Sequence, residues 1–217
     1  IDLRTLTGGI TTTADATING VTVGKGANSV ATNTVLGVDA LNASVTGANN
    51  TAIGQNSLTD LTSGAANVCI GNSSGLEITT GSNNTAVGVS SLFTQTTADN
   101  NTAFGRSTLK LNTSGTENVA VGANALDANT TASNNTAVGY NSLGATTTGS
   151  ENTGVGSSAL VNNTTGNNCT AIGRSSMVEN TSGASNTALG ADSLKNNTTA
   201  NSNTAVGKDP LTANTTA

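Results

Sequence analysis

Histidine and tryptophan are missing from this chain of 217 residues, and its aromatic side chains are limited to Phe93, Phe104 and Tyr140. Without histidine, no Ser-His-Asp or Cys-His nucleophile and no histidine-based metal site can be assembled from these residues. With few aromatics, and Ala the commonest candidate for the interior, a short stretch has too little apolar volume for a globular core. Stability must then come from repetition and backbone pairing. Charge is also sparse: seven Lys and Arg residues are scattered through a chain of net charge −5, which argues against a nucleic-acid-binding face. No run of roughly eighteen apolar residues occurs, so no membrane insertion is expected.

What the chain does have is glycine at a fixed interval. Gly37, Gly54, Gly71, Gly88, Gly105, Gly122, Gly139, Gly156, Gly173, Gly190 and Gly207 follow one another every seventeen residues, with no insertion or deletion. A constant short period marks a solenoid, in which each repeat is too small to bury its own apolar face and stacks on its neighbours. Function is therefore expected on a long surface and not in a pocket.

Alignment on the glycine sorts the remaining positions into columns. The residue before it is large and apolar in every coil, from Leu36 and Ile53 through Phe104 to Val206. The next one back is small, mostly Ala, with Val35, Cys69 and Gly154 as variants. One step further back stand Thr or Val, the β-branched types that suit a pleated strand. Asn-Thr-Ala-Val-Gly therefore reads as a strand. Four residues after the glycine, a column running from Leu41 to Leu211, with Met177 among its members, supplies a second wall. A Thr-Ser/Thr-Gly/Ala segment such as Thr113-Ser114-Gly115 closes the coil, its small residue placed to take the positive φ of a tight corner. In one coil Gly75 occupies the leucine slot and Leu76 follows, so a local bulge is expected to return Leu76 to the interior. The Asn column from Asn33 to Asn203, broken only by Cys169, is placed to hydrogen-bond from coil to coil and is read as structural.

The expected fold class is all-β, a parallel β-solenoid of about eleven coils, on the order of 50 Å long at the usual strand spacing. Cys69 and Cys169 lie in coils roughly 29 Å apart on that spacing, so both are expected reduced and buried. The adjacent Ala and Val/Ile columns raise a further point. Successive strand residues face opposite ways, so one column must point outward, and an uncovered apolar stripe is rare on soluble monomers. Copies of the rod are therefore expected to associate lengthwise, unless the outer column is merely Ala.

The units Asn84-Thr85-Ala86-Val87-Gly88 and Asn135 to Leu143, with the lead-in Asn28-Ser29-Val30-Ala31, resemble the head repeats of trimeric autotransporter adhesins. They are still more similar to repeats of phage and cyanophage virion appendages, where a segment like Asn19 to Gly26 precedes a run of Asn-Thr-Ala-Val-Gly units. The resemblance spans about residues 19 to 217, although seventeen residues per coil exceed the adhesin family's usual repeat. It implies a left-handed β-roll that is a lengthwise homotrimer, forming the shaft or head of a tail fibre, virion appendage or extracellular cell-surface fibre. The partners implied are other copies, other fibre or virion proteins, and a host-surface receptor or glycan.

Residues 1–32 do not follow the period and are read as a lead-in and cap, with Gly8-Gly9 and Thr11 to Thr13 as loop and Ala16 to Val23 as a strand. Residues 33–217 form the solenoid, read as an internal piece of a longer fibre protein. The chain is read as non-enzymatic, with no catalytic, cofactor or metal site. Glu117 and Glu151 share a column about 9.6 Å apart, near the spacing of inverting glycosidases, but no aromatic platform accompanies them and the position reads as a solvated corner. The Asp residues fall in different columns and offer no calcium repeat. Two binding readings remain. The first is ice or crystal-surface binding through the threonine column from Thr62 to Thr215. That column makes no flat two-rank face, because the neighbouring hydroxyl column is adjacent and not two residues away. The second is receptor contact, for which Arg106, Tyr140 and Arg174, at two-coil intervals just after the glycine, are the candidates. The function expected is that of a structural shaft or head segment contributing to host attachment; the alternative is a surface-binding module such as an adhesin head or a Thr-ladder ice binder.

Overall fold

A computed structural model describes residues 15–215, and every regular element beyond one short 3-10 turn is a strand. The Gly8-Gly9 and Thr11 to Thr13 readings lie outside the described residues. Strands β1 (Ala16–Ile18) and β2 (Val21–Gly24) form a hairpin through Asn19-Gly20, so the single strand expected over Ala16 to Val23 is split in two. A turn dipeptide of this kind carries positive φ at both residues, here 50° and 82°. β2 then pairs antiparallel with β3 (Thr34–Gly37), covering the edge of the first coil. The Asp15 carboxylate secures this cap by accepting the Lys25 N–H at 2.6 Å and the Gly26 N–H.

From β3 onward the chain is a parallel β-solenoid. The strands β4 (Thr51–Ile53), β5 (Val68–Ile70), β6 (Thr85–Val87), β7 (Thr102–Phe104), β8 (Val119–Val121), β9 (Thr136–Val138), β10 (Thr153–Val155), β11 (Thr170–Ile172), β12 (Thr187–Leu189) and β13 (Thr204–Val206) follow in order. Each pairs with the next in parallel, one repeat ahead, as in Thr51 with Val68, Ala52 with Cys69 and Ile53 with Ile70. β3 to β13 enclose about ten full turns.

The interior is built from the columns that the repeat defines. Ala52, Ala86, Ala103, Ala120 and Ala137 are fully buried on one wall and Leu58, Leu92, Leu109, Leu126 and Leu143 on the other. The leucines carry a backbone feature that the alignment does not reveal: their φ values lie near +50°. A left-handed non-glycine residue costs about 1–2 kcal/mol, and burying a leucine contributes about 1.5–3 kcal/mol. The burial therefore offsets the strain that the corner imposes.

Two corner expectations are corrected. The small residue closing the coil does not take positive φ; that conformation falls two residues later, at Asn49, Asn83, Glu117, Asn134 and Glu151. The closing residue is small because the coils approach closely: a Cβ on Gly149 would meet the Gly166 carbonyl oxygen. Nor is there a bulge at Gly75. Its N–H donates to Ser91 O at 2.9 Å, just as Leu58 N–H donates to Ser74 O at 3.1 Å, so the coil keeps its register and Leu76 stays half-buried outside the core. The missing leucine volume is filled from the sides, since a Cβ on Gly75 would lie 2.6 Å from Cys69 Sγ and 3.0 Å from Ile78 Cδ1. Cys69 stands where most coils have Ala, and Ile78 where later coils have Asn.

The repeat glycine has its own reason. At Gly105 φ is +142°, and a Cβ there would lie 2.8 Å from the carbonyl of Gly122 in the next coil. Both the conformation and the stacking distance exclude a side chain.

Candidate interaction surfaces

The strands decide which apolar column faces out. The Ala column is buried, whereas the column before the glycine is exposed by 36% at Val121, 45% at Leu189 and 55% at Phe104. An exposed column of mere Ala is thereby ruled out, and the outward stripe consists of Ile, Val, Leu and Phe. The Thr column two residues earlier faces the same way and is half-buried or exposed in every coil, from Thr34 to Thr204. The outer sheet face thus carries two ranks, Thr and a large aliphatic residue, at one coil per rung.

Polar groups inside the rod are consumed by the stack. In the Asn column, Oδ1 of each residue accepts the backbone N–H of the next, as at Asn118 to Asn101 (3.0 Å), while Nδ2 donates to the carbonyl closing the following turn, as at Asn118 to Ala132 (2.9 Å). Cys169 interrupts this ladder and is reduced and buried like Cys69. Burial pushes the Cys69 thiol up to about 12, with a smaller opposing effect from Ser74. A second buried amide column, which alignment on the glycine does not bring out, runs through Gln95, Asn112, Asn129, Asn163, Asn180 and Asn197. Its signal in the sequence is the Asn that precedes Thr-Thr or Thr-Ser in most coils. A buried serine column donates to strand carbonyls, as Ser91 does to Ala103 at 3.1 Å.

The Thr62 to Thr215 column behaves similarly. Thr130, Thr147, Thr164 and Thr181 each donate their hydroxyl to the backbone carbonyl of the next threonine at 3.0 to 3.1 Å. These donors are spent on holding coils together.

Arg106, Tyr140 and Arg174 lie in one exposed column on the edge next to the apolar stripe. Tyr140 is 59% exposed, and Arg174 pairs with Asp192 at 2.7 Å. Asp127, half-buried beside Lys110 and Arg106, has its carboxyl raised by desolvation, against the pull of those two cations. Glu117 and Glu151 sit on the exposed corner across the sheet. Among the described residues, no group of three or more Cys, Asp or Glu is placed to hold a metal ion, and no helix is long and apolar enough to cross a membrane. A cleft of about 370 Å³ lies at the cap, between Asp15, Asn28, Asp39 and Asn42.

Fold and surface together define a β-solenoid repeat protein. No protein-family model, curated protein or solved structure matches the chain.

Proposed function

We propose that this protein is a non-enzymatic structural segment of a trimeric fibre on a virion or cell surface, a left-handed β-roll that stiffens the fibre and contributes to host attachment. The observation that carries this reading is the outward stripe of Ile, Val, Leu and Phe. Eleven rungs at about 4.8 Å and a face about four residues wide give roughly 700 Å² per copy, close to the ~800 Å² per partner of a standard interface. A second copy lying alongside supplies a cover of the right length. The number three and the hand of the coil come from the resemblance to adhesin heads and virion appendages.

Substitution on the stripe tests the association. Val121→Lys with Val138→Lys places two cations on exposed positions, where the solenoid fold itself loses little. The double variant is expected to sediment as a monomer with its β signal intact. An unchanged mass in the double variant contradicts the proposal.

The two outward ranks favour one other reading, a module that binds a regular surface such as ice. The Thr-x-Val spacing supports it, but through the strand Thr column and not through Thr62 to Thr215, whose hydroxyls are engaged. A monomer that inhibits ice growth would put this reading first.

A further inference from the structure

The column after the repeat glycine changes character at Arg106. From there it reads Arg106, Ala123, Tyr140, Ser157, Arg174, Ala191 and Lys208, a strict alternation of long and short side chains. The long members stand two coils apart, roughly 9.6 Å, and all are exposed, the side chains of Arg174 and Lys208 by 64% and 79%. The short members leave a notch one coil wide between them. Lys110 and Lys195 flank the column, so this edge holds five of the seven Lys and Arg residues of a chain whose net charge is −5. Three carboxylates share this edge: Asp127 lies beside Lys110 and Arg106, Asp192 takes Arg174 at 2.7 Å and Lys195 at 3.3 Å, and Asp209 lies 3.3 Å from Lys208. Asp192 fixes the direction of the Arg174 guanidinium, which keeps most of its surface in solvent.

We propose that this edge binds a linear acidic polysaccharide laid along the rod, with a sugar ring stacked on Tyr140 and carboxylates paired to Arg106 and Arg174. The proposal rests on the attachment reading and names its ligand. Spacing decides the class. A DNA strand carries a charge about every 3.4 Å, far denser than these cations can match. A sugar chain with one acid per two rings presents its anions at about the interval of two coils, so Arg106 and Arg174, four coils or roughly 19 Å apart, take alternate anions on either side of Tyr140. Its ring faces are apolar enough to lie on a phenol, and the forked guanidinium matches a carboxylate. Contacts repeated along the rod, each weak, add through multivalency.

The chain contains one tyrosine and no tryptophan, so its ultraviolet fluorescence above the phenylalanine range reports on Tyr140 alone. Titration with hyaluronan decasaccharide, and then with unsulfated chondroitin, which also carries one acid per two rings, at low salt is expected to change this emission saturably. Arg106→Ala with Arg174→Ala is expected to weaken binding about tenfold or more, with the solution mass unchanged. The proposal is overturned if neither polymer binds by calorimetry or emission, if the double variant binds as well as the parent, or if a single-stranded thymidine 20-mer binds more tightly. It is also overturned if the double variant loses mass, because the edge then belongs to the contact between copies. A chain that stays associated yet ignores both polymers removes the ligand and leaves the fibre; a monomer that binds them does the reverse.

Discussion

Thr146→Asn mends the one interruption in the second amide column. On either side of it the amides bond from coil to coil: Asn112 Nδ2 to Gln95 Oε1 at 3.0 Å, Asn129 to Asn112 at 2.8 Å, Asn180 to Asn163 at 2.9 Å. Thr146 stands between Asn129 and Asn163, and both Asn129 Oδ1 and Thr146 Oγ1 are buried without a partner. The backbone is already right, since Thr146 N–H meets Leu143 O at 3.1 Å as Asn129 N–H meets Leu126 O at 3.1 Å. An asparagine there gains three bonds, to Asn129 Oδ1, to Gly149 O and from Asn163 Nδ2. Gly149 O already accepts Asn135, and Gly115 O shows that one such carbonyl takes two amides, Asn101 at 2.8 Å and Asn112 at 2.9 Å. Three bonds at about 1 kcal/mol each, less about 1 kcal/mol for ordering the side chain, leave about 2 kcal/mol. For a domain of this size that is roughly 4–8 °C in Tm. Thermal and guanidinium melts of the variant measure it, with Asn180→Thr as the reverse experiment that opens a new gap. A Thr146→Asn protein melting at or below the parent, or an Asn180→Thr protein melting with it, refutes the ladder as a source of stability.

Two further substitutions probe the stack. Gly122→Ala places a Cβ 2.5 Å from the Gly139 carbonyl oxygen at a φ of +128°, and is expected to cost about 3 kcal/mol or more, read as a lowered denaturant midpoint; a melt like the parent's contradicts the close-packing argument. For Cys69 the sign follows from burial: its thiol, pushed up to about 12 in the fold, ionises from about 9 in the unfolded chain. The unfolded state therefore binds fewer protons above that pH, and stability falls as pH rises toward 12, by at most about 1.4 kcal/mol per unit. Cys69→Ala is expected to flatten that slope between pH 8 and 10.5, and parallel slopes would show that the thiol is not responsible.

Much of the architecture was legible because a repeat tests its own alignment. Eleven aligned copies separate what stacking demands from what it tolerates, so the strand, the leucine wall, the asparagine ladder and the separated reduced cysteines follow from residue columns alone. The failures have a common cause. Leu58 and its equivalents sit near φ +50° and Asn83 and its equivalents near +60°, and neither residue type announces a left-handed corner as glycine does. At Gly75 the pattern points to a slip, whereas Cys69 and Ile78 fill the space from other columns, a compensation visible only in three dimensions. The Asn column through Asn112 is hard to see in the sequence because it begins only at Gln95, after Leu61 and Ile78, and is interrupted at Thr146. As for the surface, the sequence requires that one of two apolar columns face out, and only the strand orientation assigns that role to Ile, Val, Leu and Phe. Arg106, Tyr140 and Arg174 were visible as a column, but their exposure and the pairing of Arg174 with Asp192 were not.

The account turns on the outward stripe being covered by other copies. Light scattering on the intact chain, with a melt on the same sample, tests that most directly. The account predicts a mass near three times 21.0 kDa and a single cooperative loss of β signal at high temperature, concentration-dependent as association requires. A stable particle of 21.0 kDa whose melting does not depend on concentration would contradict it.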